Sequence, residues 1–120
     1  MVEELRTQME SYGIDVAGAL ERMMGNENLF FRMMKKFTED KIFPNLKASL
    51  EEKNYSQAFE HAHALKGVAG NLGLNSIMEA DSVMVEKLRN YTEESVQGIE
   101  ADLEKLEQIY MKVMGLLQQI

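Results

Sequence analysis

Residues 92–120 read TEESVQGIEADLEKLEQIYMKVMGLLQQI. Apolar side chains recur in this stretch at alternating intervals of three and four residues, the spacing of one face of an α-helix. Thr92 is followed by two glutamates, a combination that favours a helix start. The pattern therefore predicts a long amphipathic helix that begins at Thr92 and buries one face. The apolar positions are Val96, Ile99, Leu103, Leu106, Tyr110, Val113, Leu117 and Ile120.

The rest of the chain shows the same helical spacing, and no segment alternates as a β-strand does. Near the N-terminus, Gly13 is placed to end one short helix and Asp15 to cap a second. A longer helix is predicted over residues 27–52. We expect a kink or break in it at Pro44, because proline removes a backbone hydrogen bond and clashes with the preceding turn.

Asparagines mark two further helix starts. Asn54, with Gln57 three residues later, resembles a capping box and opens a helix to about residue 72. Asn75 is expected to cap the next helix. The last helix alone is also compatible with a coiled-coil dimer, but an intramolecular bundle buries the apolar sides of all the helices. We predict an all-α fold, an up-and-down four-helix bundle with one or two additional short N-terminal helices, as a single domain over residues 1–120.

Composition narrows the classes of function. The 120 residues are 45% hydrophobic and 28% charged, as in globular proteins, and the absence of cysteine removes disulfides and thiolate chemistry. The net charge of −7 opposes binding to nucleic acid and to anionic lipid. No apolar run approaches the ~20 residues of a membrane span, and the acidic N-terminus is unlike a signal sequence. We expect a free-standing, monomeric, cytoplasmic protein whose partners are proteins, with no nucleic acid and no membrane among them.

Polar chemistry concentrates in residues 60–73, which read EHAHALKGVAGNLG. At about 100° per residue, the core-facing side of this helix consists of Ala58, Ala62, Leu65, Ala69 and Leu72. His63 lies about 130° from the centre of that side and points outward, with Gly67 and Gly70 on its face and Lys66 at the edge. His61 points about 160° away from His63 and cannot share a metal ion with it, so no metal site is predicted.

Two glycines beside one exposed histidine need a reason, since glycine inside a helix costs ~1 kcal/mol relative to alanine. One interpretation is that Gly67 and Gly70 let a large partner approach the imidazole. The alternative is that the glycines allow close packing against another helix or are merely tolerated. No serine or threonine lies one turn from His63, and Glu60 is the one acidic residue there, so this helix does not supply a nucleophilic triad by itself. A neutral imidazole is itself a competent nucleophile, and Lys66 can offset negative charge placed on it.

The run His63-Ala64-Leu65-Lys66-Gly67, followed by Gly70-Asn71-Leu72-Gly73, resembles the signature of the histidine-containing phosphotransfer (HPt) domains of two-component phosphorelays. The resemblance extends over about residues 12–118, including Gly13-Ile14-Asp15. It implies a four-helix bundle, phosphorylation of His63 and charge stabilisation by Lys66. It also implies docking of response-regulator receiver domains over Gly67 and Gly70. We assign Phe59, one turn before His63, to the same docking surface.

The implied function is that of a phosphorelay intermediate. His63 would reversibly accept a phosphoryl group from a phospho-aspartyl receiver or a sensor histidine kinase and pass it to another receiver. Such a chain is a co-substrate of its partners and not an enzyme, with no cofactor of its own, and the partner receiver supplies Mg²⁺. Two alternatives stay open at this point. One is an interaction module that only sequesters response regulators, and the other is the substrate domain of a larger kinase.

Overall fold

The computed structural model describes all residues from 1 to 120 and contains seven α-helices without a β-sheet. Four helices pack in chain order, α4 against α5, α5 against α6 and α6 against α7. Helix α3 contacts α7 and so completes the bundle, and the whole chain has extents of 47 × 23 × 20 Å. The all-α prediction is confirmed. The helices are α1 (Glu3–Ser11), α2 (Val16–Arg22), α3 (Glu27–Thr38), α4 (Ile42–Glu51), α5 (Tyr55–Asn71), α6 (Asn75–Leu88) and α7 (Ile99–Leu117).

The helix predicted over residues 27–52 is two helices, and the break lies before Pro44. Helix α3 ends at Thr38, and α4 begins at Ile42, whose backbone N–H donates to the Asp40 side chain at 2.6 Å. Pro44 stands in the first turn of α4, where the backbone N–H groups have no partner within the helix. The proline therefore fits the start of a helix. The apolar face changes direction after residue 38 because a new helix begins at Ile42.

The start of the last helix was predicted wrongly. Residues 93–98 form turns, and α7 begins only at Ile99. The hydroxyl of Thr92 accepts from the Ser95 N–H at 3.0 Å, while the Ser95 hydroxyl accepts from the Thr92 N–H at 2.8 Å. Gly98 then takes a left-handed conformation with φ of +77°, which a continuous helix cannot include. Val96 is nevertheless buried, so the apolar period continues through the turns.

The cap expected at Asn75 is also wrong, because Asn75 is the first residue inside α6 and Leu74 holds the cap position without a side-chain bond. The caps expected at the other two helices are confirmed. Asp15 accepts from the Gly18 N–H at 3.0 Å, and Asn54 accepts from the Gln57 N–H at 3.2 Å.

The apolar face of α7 is used inside the bundle. Leu106 and Val113 are buried, and the Tyr110 ring packs against Phe37 at 6.0 Å and Phe43 at 4.2 Å between ring centroids. These rings join α3, α4 and α7, an arrangement in which each aromatic pair adds stability beyond its buried area. The spacing that suggested a coiled coil is thus accounted for by intramolecular contacts. None of the helices is long and apolar enough to span a membrane.

The segment before α2 is fastened across the turn between α5 and α6. Asp15 N–H donates to the Gly73 carbonyl at 2.7 Å, and Ser76 donates from its hydroxyl to Tyr12 at 2.8 Å. Gly73 has φ of +76°, and a Cβ there would lie 2.5 Å from the Asp15 carbonyl oxygen. Only glycine fits such a contact without a shift of the backbone. These bonds give α2 a defined position beside the C-terminal end of α5.

Candidate functional site

Helix α5 carries the candidate site on the side that faces away from the core. Its inner side consists largely of small residues, and Ala58, Ala62, Leu65 and Ala69 are fully buried. Small side chains let α4 and α6 pack closely against this helix. On the outer side, His63 is exposed and Lys66 is half-buried. The face predicted from the helical wheel is confirmed.

The imidazole of His63 is held by an aromatic stack. Its ring lies parallel to the Phe59 ring, with 5.8 Å between centroids and 16° between planes. The guanidinium of Arg89, at the end of α6, lies 5.4 Å from the Phe59 centroid. Phe59 thus limits the orientations open to the imidazole while leaving it accessible to solvent. The expectation that Phe59 contacts a partner is not tested by this geometry.

The two glycines differ in their surroundings. A Cβ built at Gly67 would meet no atom within 4 Å, so this position opens to solvent one turn after His63. A Cβ at Gly70 would lie 3.1 Å from the sulfur of Met78 on α6, so that Met78 would have to move by a few tenths of an ångström. Close approach of a partner is the interpretation that fits Gly67. At Gly70, close packing against Met78 of α6 is sufficient to explain the glycine.

An open depression of about 520 Å³ surrounds the histidine. His63, Lys66, Gly67 and Gly70, which the helical spacing places on one face, line it together with Arg22, Asn71 and Met78. A second depression of about 490 Å³ lies between α3 and α5 and also includes Gly67. Gly67 and Asn71 line both depressions, so a side chain at position 67 would project from a surface that the two depressions share.

Arg22 was not found by sequence reasoning. It lies on α2, yet its Nε donates to the Asn71 carbonyl at 2.9 Å and its Nη2 donates to the Gly70 carbonyl at 3.1 Å. Cations are favourable at the C-terminal end of a helix, where the carbonyl dipoles point outward. The local sequence could not predict this contact, because Arg22 is 48 residues from Gly70 and 49 residues from Asn71 in the chain.

Asp81, on α6, is a second residue that the sequence did not single out. It is completely buried, and neither of its carboxyl oxygens has a hydrogen-bond partner. Burial raises the pKa of Asp81 from 3.8 to about 8, while the positive charge of Lys66 acts in the opposite direction. A carboxyl with that pKa is mainly neutral at pH 7. The charge of Lys66 consequently stays available on the histidine face.

The other side chains that could ligate a metal ion are His61 and the acidic residues. His61 is half-buried, at the boundary predicted for it, and does not line the depression around His63. No group of three histidine, aspartate or glutamate side chains lies close enough together to hold a metal ion.

A bundle of this kind, with a lone exposed histidine beside a lysine and an open glycine, is the architecture of a phosphotransfer module. The family model described as Hpt domain matches residues 38–109, more than half of the chain, and that segment includes His63, Lys66, Gly67 and Gly70. The chain belongs to the Hpt domain family, whose members are phosphocarrier modules of two-component signalling. Comparisons with curated proteins and with solved structures gave no match.

Proposed function

We propose that His63 is the phosphoryl acceptor of this chain and that the chain is a phosphorelay intermediate. The observation that carries the proposal is the exposed imidazole next to Gly67, where a Cβ would meet nothing within 4 Å. A group that must be reached by the active site of another protein requires such a clearance. His61 lacks it, since it is half-buried at the edge of the core.

The reaction is an in-line displacement at phosphorus. A neutral imidazole nitrogen of His63 attacks the phosphorus of an aspartyl phosphate, the N–P bond forms, and the P–O bond to the aspartate breaks. The aspartate leaves as a carboxylate, and the other imidazole nitrogen keeps its proton until solvent removes it. By resemblance to the family, Nε2 is the attacking atom. Transfer in the reverse direction follows the same path.

Phosphoryl transfer depends on positioning and on neutralising the equatorial oxygens, which carry the negative charge in the transition state. The Phe59 stack restricts the imidazole, and Lys66, one turn along α5, offers an ammonium group to those oxygens. Mg²⁺ held by the partner receiver supplies the remaining charge compensation. In this proposal the chain has no cofactor and acts as a co-substrate without turnover of its own.

The partners are response-regulator receiver domains and a sensor histidine kinase. A receiver docks over Gly67 and Gly70, with Phe59 at the edge of the contact, and brings its aspartate to His63. We expect loops of a receiver to enter the two depressions that Gly67 and Asn71 both line. We place the protein in the cytoplasm, where receivers and the catalytic parts of sensor kinases are found.

The test is phosphotransfer from each phosphorylated receiver of the host to the purified chain. Wild type should acquire acid-labile, base-stable phosphate, and His63→Gln should acquire none while its helicity is unchanged, because an exposed position tolerates glutamine. His61→Gln is the matched control and should transfer almost normally. Labelling of His61 in place of His63 would refute the assignment. Tight receiver binding without any label would favour the sequestering module.

A further inference from the structure

Arg22 lies outside the segment matched to the family, and its position is fixed by the tertiary structure. The segment before α2 is bonded to the turn between α5 and α6 through Asp15 and Gly73. At the other end of α2, the Arg22 side chain bonds to the carbonyls of Gly70 and Asn71. The guanidinium is therefore held at one place on the surface, even though its side chain is exposed.

The guanidinium faces the same depression as His63 and Lys66. It has more N–H donors than the two bonds to α5 use, so some of its donors remain free. Arg22 and Lys66 together place two positive charges at this depression in a chain with 20 acidic and 13 basic residues. A local concentration of positive charge on an acidic protein selects for an anionic surface on the partner.

Distance decides what Arg22 can contact. The Gly70 carbonyl lies seven residues after His63, which is about 10 Å along the helix axis. A phosphoryl group on the imidazole is out of reach from there, so Arg22 does not take part in the chemical step as Lys66 does. A protein that covers His63 and Gly67, however, must also extend over the end of α5 where Arg22 is held.

We propose that Arg22 is a specificity-determining residue for receiver docking, in which its guanidinium pairs with an acidic side chain at the rim of the receiver's phosphorylation site. This inference rests on the proposed function and adds a docking contact to it. Mg²⁺ is held in proteins by one or two carboxylates, so the phosphorylation site of a receiver has acidic side chains near the surface that meets His63. Receivers with a neutral or basic residue at that point of the rim are disfavoured.

The experiment compares receiver binding and phosphotransfer for Arg22→Gln, Arg22→Lys and Lys112→Gln. Lys112 is exposed on α7 and does not line the depression, so its variant removes the same charge elsewhere. Arg22→Gln should weaken receiver binding by about threefold to tenfold, mainly through the association rate, and should flatten its dependence on ionic strength. Arg22→Lys should recover most of both, whereas Lys112→Gln should leave them unchanged.

Two further measurements separate this role from a structural one. If Arg22 only holds α2 against α5, the loss of receiver binding in Arg22→Gln will follow a fall in its melting temperature and will leave the dependence of binding on ionic strength unchanged. The docking role is refuted if Arg22→Gln binds the receiver with the same affinity and the same dependence on ionic strength as wild type. His63 would still be phosphorylated in that case, so the proposed function would stand. Failure of wild type to accept phosphate on His63 would instead refute the proposed function.

Discussion

Asp81 makes the stability of this protein depend on pH in an unusual direction. The carboxyl is buried without a hydrogen-bond partner, and its pKa is raised from 3.8 to about 8. Between these two values the folded protein keeps the proton that the unfolded chain has already released. The folded state then binds more protons than the unfolded state, so its stability falls as the pH rises through this window. Most paired carboxylates have the opposite effect.

The size of the effect follows from the shift. Each pKa unit corresponds to about 1.4 kcal/mol, so the contribution of Asp81 falls by about 2–3 kcal/mol between pH 5 and pH 7. The contribution of Asp81 to the free energy of unfolding is fully present below pH 3.8 and is lost once the pH exceeds the folded pKa of about 8. Asp81→Asn has nearly the same shape but cannot titrate. The free energy of unfolding of this variant, relative to wild type, should therefore rise by that amount from pH 5 to pH 7.

The assay is urea unfolding followed by circular dichroism at several pH values between 5 and 8, with extrapolation to water. Glu79→Gln is the control, because Glu79 is exposed on the same helix and undergoes the same chemical change. Its pH profile should run parallel to that of wild type. The reasoning is refuted if Asp81→Asn is also parallel to wild type, or if the Asp81 carboxyl titrates near 3.8 by NMR in the folded protein.

The other predictions concern the histidine face. Lys66→Ala should slow phosphotransfer by about one to two orders of magnitude, as expected for a charged donor worth ~1–3 kcal/mol. It should also raise the pKa of Asp81 further, because that pKa is lowered by Lys66; an unchanged transfer rate would leave Lys66 a solubilising residue only. Gly67→Gln should keep or raise the melting temperature, since its Cβ meets open space and glutamine is the better helix former. Transfer from a receiver should nevertheless fall about a hundredfold through misplacement of the partner, and a destabilised variant that still transfers normally would contradict this. A chelator should leave the melting temperature of the isolated protein unchanged but stop transfer by removing Mg²⁺ from the receiver, so a loss of stability on chelation would show a metal site in this chain.

Several features followed from the sequence because they depend on local geometry alone. An α-helix fixes the direction of every side chain relative to its neighbours, so the period of the apolar residues sufficed to orient His63 outward and Leu65 inward. Caps at Asp15 and Asn54 are equally local, since each involves a backbone N–H three residues away. The all-α class and the histidine face could be predicted for this reason.

Local rules failed where neighbouring conformations compete. Asn75 and Thr92 both have side chains suited to a helix cap, yet Asn75 lies inside α6 and Thr92 begins a run of turns. At Thr92, the reciprocal bonds with Ser95 and the left-handed Gly98 delay the helix to Ile99. The residue at which a helix begins depends on the path of the loop between two packed helices, and residue types alone do not specify that path.

Only the tertiary structure brought together groups that are remote in the chain. Arg22 reaches the end of α5 because the bonds of Asp15 across the α5–α6 turn fix α2 there. Asp81 is buried because its side of α6 is covered by the bundle, and Met78 fills the space at Gly70. Helical periodicity determines which side of each helix is apolar, whereas the crossing angles and loops determine which side chains of different helices meet. These contacts between helices determine which charged side chains surround His63.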